Sequence, residues 1–169
     1  MIERERWDAL QEMIVRSIHA RPAGLTARSP ESREKYKARV FRIFDPNPEL
    51  KLVGDGQAKL RLGFVLYLDT GAAIIEGVVD QTRGYALAFD ELEAAYRNHR
   101  GVIGLDLEFC DPFKGGDRRK TQQKIVYEVH GVQCIDGDIQ KIAEQIADHI
   151  ELFYKAVKEI NALARPEAV

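Results

Sequence analysis

The chain has 169 residues and a mass of 19.2 kDa, which is the size of one ordinary domain. Hydrophobic residues make up 45% and charged residues 31%, close to the averages for soluble globular proteins, so a disordered polymer, a collagen-like chain and a disulfide scaffold are excluded. The net charge at pH 7 is only −2, from 25 Lys and Arg against 27 Asp and Glu, so the overall charge indicates no partner.

The start of the sequence, MIERERWDAL, is dense in charge and lacks the apolar stretch of roughly 7–15 residues found in a secretory signal. No stretch approaches the about 20 mostly apolar residues of a membrane-spanning helix. The two cysteines, Cys110 and Cys134, are too few for a disulfide framework and suit a reducing compartment. We therefore expect a cytoplasmic protein without a membrane partner.

The first 36 residues are expected to form a helical and basic N-terminal segment. Between residues 2 and 20 apolar side chains recur at steps of three and four, which predicts a helix with one buried stripe. Pro22 and Gly24 end this helix. The polar stretch that follows has Ser29 before Pro30 as a candidate cap, which predicts a short helix running into the thirties.

Residues 37–135 are expected to form a sheet with one inserted helix. The turn pair Thr70-Gly71 predicts a hairpin between two neighbouring strands. The inserted helix is predicted over residues 89–98, where acidic residues come early and Arg97 comes late, the favourable order for the helix dipole. The predicted strands cover residues 38–45, 59–69, 73–80, 104–109 and 123–132.

Residues 136–165 are expected to form a long C-terminal helix. Apolar side chains recur at steps of three and four from Ile139 to Ala164, which predicts a helix of about 25 residues and near 38 Å. Asp136 and Asp138 are its candidate caps. So wide an apolar stripe is usually packed on a sheet, but a helix of this length can also overhang short strands. The candidates for self-association through the overhang are Phe153, Val157 and Ile160.

Helices are too few along the chain for repeated parallel crossovers. The element order therefore predicts a single α+β domain, in which a mostly antiparallel sheet of about five strands carries the N-terminal, middle and C-terminal helices on one face. Over residues 41–157 this order resembles the DNA-reading N-terminal domains attached to McrB-type restriction ATPases. The resemblance lies in the order of elements and not in signature residues, and it implies a nucleic-acid role.

The near-neutral net charge is the sum of oppositely charged segments. Residues 16–42 hold eight basic and two acidic residues, a net charge of +6. Residues 43–113 hold six basic and twelve acidic residues, a net charge of −6. Residues 114–135 return to +3, mostly through the sequence KGGDRRK. The charge is therefore segregated along the chain.

Two basic segments, residues 28–42 and 114–120, are the candidate anion site. If they meet on one face of the fold, they form a surface for phosphate groups or nucleic acid. The alternative is a solvated loop and a basic stretch that pairs with the acidic middle of the chain. Aromatic residues near these charges are few, so base stacking is not strongly indicated. The candidate anion-binding residues are Arg28, Arg33, Lys35, Lys37, Lys114, Arg118, Arg119 and Lys120.

Three further residues are weak catalytic candidates. Asp106 and Glu108 lie two apart, so on a strand both point to the same face, and with Lys124 on a neighbouring strand they form a set that can hold Mg²⁺ in a nuclease. The simpler alternative is that Asp106 and Glu108 face water while Leu105, Leu107 and Phe109 face the core. This set gives a metal-dependent hydrolase or nuclease as an alternative function.

Cys110, His130 and Cys134 are weak metal-ligand candidates, because they approach one another if the last two strands pair as a hairpin. Zinc requires four ligands and usually a tight Cys-X-X-Cys pair, which is missing. We therefore expect no cofactor, and an enzyme is not the favoured interpretation. The favoured function is a non-catalytic cytoplasmic domain that binds nucleic acid or another polyanion. The second alternative is a homodimeric regulatory or scaffold module that uses the C-terminal helix.

Overall fold

The computed structural model describes residues 2–28, 30–33, 37–45, 60–79, 85–111 and 122–164, and these residues form three helices and one seven-stranded antiparallel sheet. The predicted α+β class is thereby confirmed. The helices are α1 (Arg4–His19), α2 (Tyr85–Ile103) and α3 (Ile139–Ala164). The strands are β1 (Thr26–Ala27), β2 (Glu31–Arg33), β3 (Ala38–Phe44), β4 (Leu60–Tyr67), β5 (Ala73–Val79), β6 (Glu108–Cys110) and β7 (Lys124–Val129).

The strands follow the order β1-β3-β4-β5-β7-β6, and β2 pairs with β3 beside β1. The predicted hairpin joins β4 to β5, with Phe64 opposite Ile75, and Gly71 takes a φ of +71° in its turn. This positive φ is accessible to glycine without steric cost. The hairpin of β6 and β7 lies at the far edge from β1.

The short helix predicted in the thirties is wrong. Residues 31–33 form β2, in which Glu31 lies opposite Val40 and Arg33 opposite Ala38. A short polar segment cannot bury an apolar stripe, so a helix there would have had little tertiary support. Pairing with β3 instead satisfies its backbone groups. Together with the two-residue β1, this edge raises the strand number from the expected five to seven.

The three helices and one face of the sheet share a single hydrophobic core. The ring of Trp7 meets that of Phe41 edge-on, with centroids 5.9 Å apart. Burying each such large side chain stabilises the fold by about 1.5–3 kcal/mol. The fully buried members from the sheet are Phe41, Phe64, Leu66, Ile75 and Ile125, and those from the helices are Leu10, Ile14, Phe89, Leu92, Ala143, Ile146 and Ile160.

The helix α3 begins at Ile139, as predicted from the spacing. Asp138 caps it, because its Oδ1 accepts a hydrogen bond of 2.8 Å from the backbone N–H of Lys141. The turn before α3 is held to α1 by Arg6, which donates from Nε to the carbonyl of Cys134 at 3.0 Å and from Nη2 to that of Gly137 at 2.5 Å.

The surface for self-association expected on α3 is not exposed. Phe153, Val157 and Ile160 are 1%, 1% and 0% exposed, because the helix packs on the sheet and the other helices along its length. The large apolar side chains that α3 does expose are Leu152 and Leu163. Packing in the core, the commoner role of such a stripe, is therefore the observed one.

The middle helix α2 is longer than the predicted residues 89–98 and is bent at His99, whose φ of −125° and ψ of 18° are not helical. The hydroxyl of Tyr96 donates to the carbonyl of Leu105 at 2.8 Å and accepts from the N–H of Leu107 at 2.9 Å. These hydrogen bonds fix the chain that leads into β6 against α2.

None of the described helices is both long and apolar enough to cross a membrane.

Candidate functional site

The sheet face turned away from the helical core carries charged side chains at its centre. Side chains directly opposite each other in a sheet share a face, and the register places Arg42 opposite Gly63 and Gly63 opposite Glu76. In the next row Arg61 lies opposite Val78, which lies opposite Lys124. We call these rows the charged face.

A shallow cavity of about 110 Å³ opens on the charged face. Its volume suits one small chemical group, since pockets for whole drug-sized ligands usually exceed about 300 Å³. Gly63 forms part of its floor, where a Cβ atom would lie 3.6 Å from Glu76 Cγ. The lining includes Val40, Arg42, Arg61, Gly63, Glu76 and Gln122.

A buried ion pair lies at the centre of the charged face. Glu76 is 4% exposed, and its Oε2 lies 3.2 Å from Nζ of Lys124, whose side chain is 27% exposed. Its other oxygen, Oε1, lies beside Gly63, 3.8 Å from the position of a Cβ there. A buried carboxylate needs a partner of opposite charge, and Lys124 supplies that partner to Glu76 in this sheet.

The first basic segment forms the edge of the charged face. Arg42 makes an ion pair of 3.0 Å with Glu31, and both side chains remain about half exposed. The backbone N–H of Arg28 donates to the carbonyl of Arg42 at 3.2 Å, which places the two arginines side by side. The guanidinium of Arg28 lies 4.6 Å from the ring centroid of Phe44, which is 37% exposed. The ring of Phe44 and the side chains of Arg28 and Arg42 therefore lie close together at this edge.

The second basic segment lies outside the described residues, but Asp111 before it and Gln122 after it are described. Gln123 Nε2 donates to Asp111 Oδ2 at 3.1 Å, which holds the two flanks together. Gln122, the next residue towards the segment, lines the cavity together with Arg42. Gln122, two residues after the second basic segment in sequence, and Arg42, the last residue of the first, therefore both line one cavity.

The other predicted anion-binding residues are distributed as follows. Lys37 lies at the opposite end of β3 from Arg42 and makes an ion pair of 3.2 Å with Asp69. Arg42 is five positions further along the chain, which is about 17 Å at the rise of a strand. Arg33 ends β2, and its side chain is outside the described set. Also outside the described residues are Lys35, Lys114, Arg118, Arg119 and Lys120.

The candidate catalytic residues do not converge. Asp106 and Glu108 both line a shallow groove of about 310 Å³ near β6. Asp106 is 84% exposed and makes an ion pair of 2.5 Å with Arg100. Lys124 contacts Glu76 and not these two carboxylates. The arrangement matches the simpler alternative, in which Asp106 and Glu108 face the surface while Leu107 is buried.

The candidate metal ligands are also apart. Cys110 lies opposite Lys124 at the first residue of β7, whereas His130 follows the last residue of that strand. Cys134 is 2% exposed, and burial raises the pKa of its thiol to about 11, while the nearby Arg6 lowers it slightly. Within the described ranges, no group of three His, Cys, Asp or Glu side chains is placed to hold a metal ion.

Two charged residues of the cavity, Glu76 and Arg61, are not among the candidates from the sequence. The signal for Glu76 was present as a lone charge in the otherwise apolar strand AIIEGVV, which only a buried partner can support. Arg61 lies in an ordinary alternating stretch, and its pattern carries no such signal.

Comparison with known proteins gives no significant match to a family model, a curated protein or a solved structure.

Proposed function

We propose that this protein is a non-catalytic binding domain that engages nucleic acid through the charged face. The observation that carries the proposal is the shared cavity, which Arg42 of the first basic segment lines together with Gln122, the flank of the second. Arg42 and Arg61 supply positive charge to this surface, and the second basic segment ends two residues before Gln122 in the sequence. Such a surface is what the phosphates of nucleic acid require.

The edge of the charged face supports the same partner. Guanidinium groups bind phosphate oxygens in bidentate geometry, and Arg28, Arg42 and Arg61 lie in neighbouring positions. Phe44 exposes its ring next to Arg28, and an exposed ring on a sheet is a platform on which a base can stack. Phe44 is therefore a specific candidate for base stacking, which the sequence pattern alone does not strongly indicate.

The proposed site of action is the cytoplasm, because a chain with two cysteines, one of them buried in the core, suits a reducing compartment. Electrostatic attraction to the charged face brings the nucleic acid to the surface, even though the whole chain has a net charge of −2.

The test is a fluorescence-anisotropy titration of labelled single-stranded and double-stranded oligonucleotides at rising salt concentrations. We expect the logarithm of the association constant to fall linearly with the logarithm of salt concentration, by about 0.7 per neutralised phosphate of a single strand. An affinity indifferent to salt, or no binding at low salt, would overturn the proposal.

A pair of variants locates the contact. In Arg42→Ala combined with Arg61→Ala, the slope of the salt dependence should become shallower by about 1.5. The matched control is Arg97→Ala on α2, an exposed arginine that pairs with Glu93 one helical turn away and lies outside the charged face. An equal change of slope in the double variant and in Arg97→Ala would show that the arginines of the charged face have no special role.

A further inference from the structure

The cavity on the charged face has a floor of opposite charge to its rim. Arg42 and Arg61 line it with positive charge, whereas the buried carboxylate of Glu76 lies at its floor. A phosphate group pushed to the floor would meet that carboxylate and be repelled. The floor of the cavity therefore favours a group that donates hydrogen bonds, and the positive rim favours phosphate.

Glu76 can present hydrogen-bond acceptors to such a group. Its Oε2 already accepts from Lys124, but each carboxylate oxygen has two acceptor positions. Its Oε1 lies beside Gly63, where the lack of a side chain leaves space above the strand. A planar group with two adjacent N–H donors could approach over Gly63 and bond both oxygens of the carboxylate.

We propose that this cavity recognises the Watson–Crick edge of an unpaired guanine, with Glu76 accepting from the guanine N1–H and N2–H groups. Guanine is the base whose Watson–Crick edge offers two neighbouring donors, whereas adenine, cytosine and thymine each place an acceptor beside their donor. A carboxylate has only acceptors, so those three bases would bring an acceptor against it. This proposal rests on the proposed function, since it names the base that the bound strand offers.

Single-stranded nucleic acid is required, because base pairing hides the edge that Glu76 reads. Arg42 and Arg61 then hold phosphates that flank the guanine, and the exposed Phe44 lies at the end of the same face for a neighbouring base. About 110 Å³ is enough for the hydrogen-bonding edge of one base, with Val40 and Val78 as apolar walls.

The experiment compares labelled eleven-residue oligothymidines that carry a single central guanosine, adenosine or cytidine, measured by anisotropy with the whole chain. We expect the guanosine probe to bind about ten-fold more tightly than the other two. When the three probes are annealed to their complements, their affinities should become equal. Equal affinities for the three single-stranded probes, with salt dependence intact, would overturn guanine recognition and leave the proposed function standing.

Two variants test the floor of the cavity. Glu76→Gln keeps the shape but replaces one acceptor by a donor, so the preference for guanosine should fall to within about two-fold. Gly63→Ala adds a methyl group at ordinary contact distance from Glu76 and leaves the ion pair intact, so a well-folded protein should show the same loss. Retention of the preference in Gly63→Ala overturns the proposal even if Glu76→Gln does not fold. Absence of binding to every probe at low salt overturns both proposals together.

Discussion

At the scale of single residues, Glu76 and Lys124 place a charged pair in the middle of a sheet. The two residues are 48 positions apart in sequence and come together only because β5 pairs with β7. Such a pair seldom adds net stability, since removing two charges from water costs about as much as their attraction returns. The net stability of the pair is therefore a weak reason for its presence in the sheet, although removing one partner alone is costly.

Lys124→Met is expected to destabilise the fold by about 2 kcal/mol, because Glu76 would remain buried without its charged partner. The measurement is urea unfolding followed by circular dichroism. Lys141→Met on α3, an exposed lysine, is the control and should change the stability by less than about 0.5 kcal/mol.

The double variant decides the cause of that loss. When Lys124→Met is combined with Glu76→Gln, the neutral amide costs less to bury than the carboxylate, so a good part of the lost stability should return. If the double variant is less stable than Lys124→Met alone, the packing of the lysine stem and not the stranded charge explains the effect.

Among the helices and strands, α3 packs on both the sheet and the other helices, and one side chain caps its first turn. Asp138→Ala should lower the free energy of unfolding by about 1 kcal/mol, because the N–H of Lys141 loses the carboxylate that accepts its hydrogen bond. The matched control is Asp136→Ala, two residues earlier and exposed. Both carboxylates are equally plausible caps by sequence, so an equal loss in both variants would contradict the assignment of Asp138 as the cap.

The elements also show what a sequence pattern can predict. The spacing of apolar residues from Ile139 to Ala164 and the β-branched run of β5 each report the burial of one segment, so both elements were predictable. The pairing of β2 with β3 depends on where another strand lies, and a three-residue polar stretch carries no record of that. For the same reason the ion pair of Glu76 with Lys124 could not be predicted, because it depends on the pairing of β5 with β7. The basic segment that contains Arg28 could be identified from its charge alone.

At the scale of the whole molecule, Cys134 lies where three parts of the fold meet. Its carbonyl accepts from Arg6 of α1, its Cβ packs 3.6 Å from where a Cβ would stand at Gly71 in the β4–β5 turn, and α3 begins five residues later. The helices α1 and α3 and the sheet share the hydrophobic core, so exposing this junction is expected to require the loss of much of that core. We therefore expect access to the thiol to report global unfolding.

Cys134 should accordingly resist alkylation by iodoacetamide in the native protein at pH 8. The thiolate is the reactive form, and a pKa of about 11 leaves only about one thiol in a thousand ionised at that pH, in a side chain that is 2% exposed. In a Cys110→Ser background, labelling measured by mass spectrometry should accelerate with urea along the same slope as global unfolding. Rapid labelling with little urea dependence would instead mean that the junction opens locally, and that α1 and α3 can part from the sheet without unfolding the charged face.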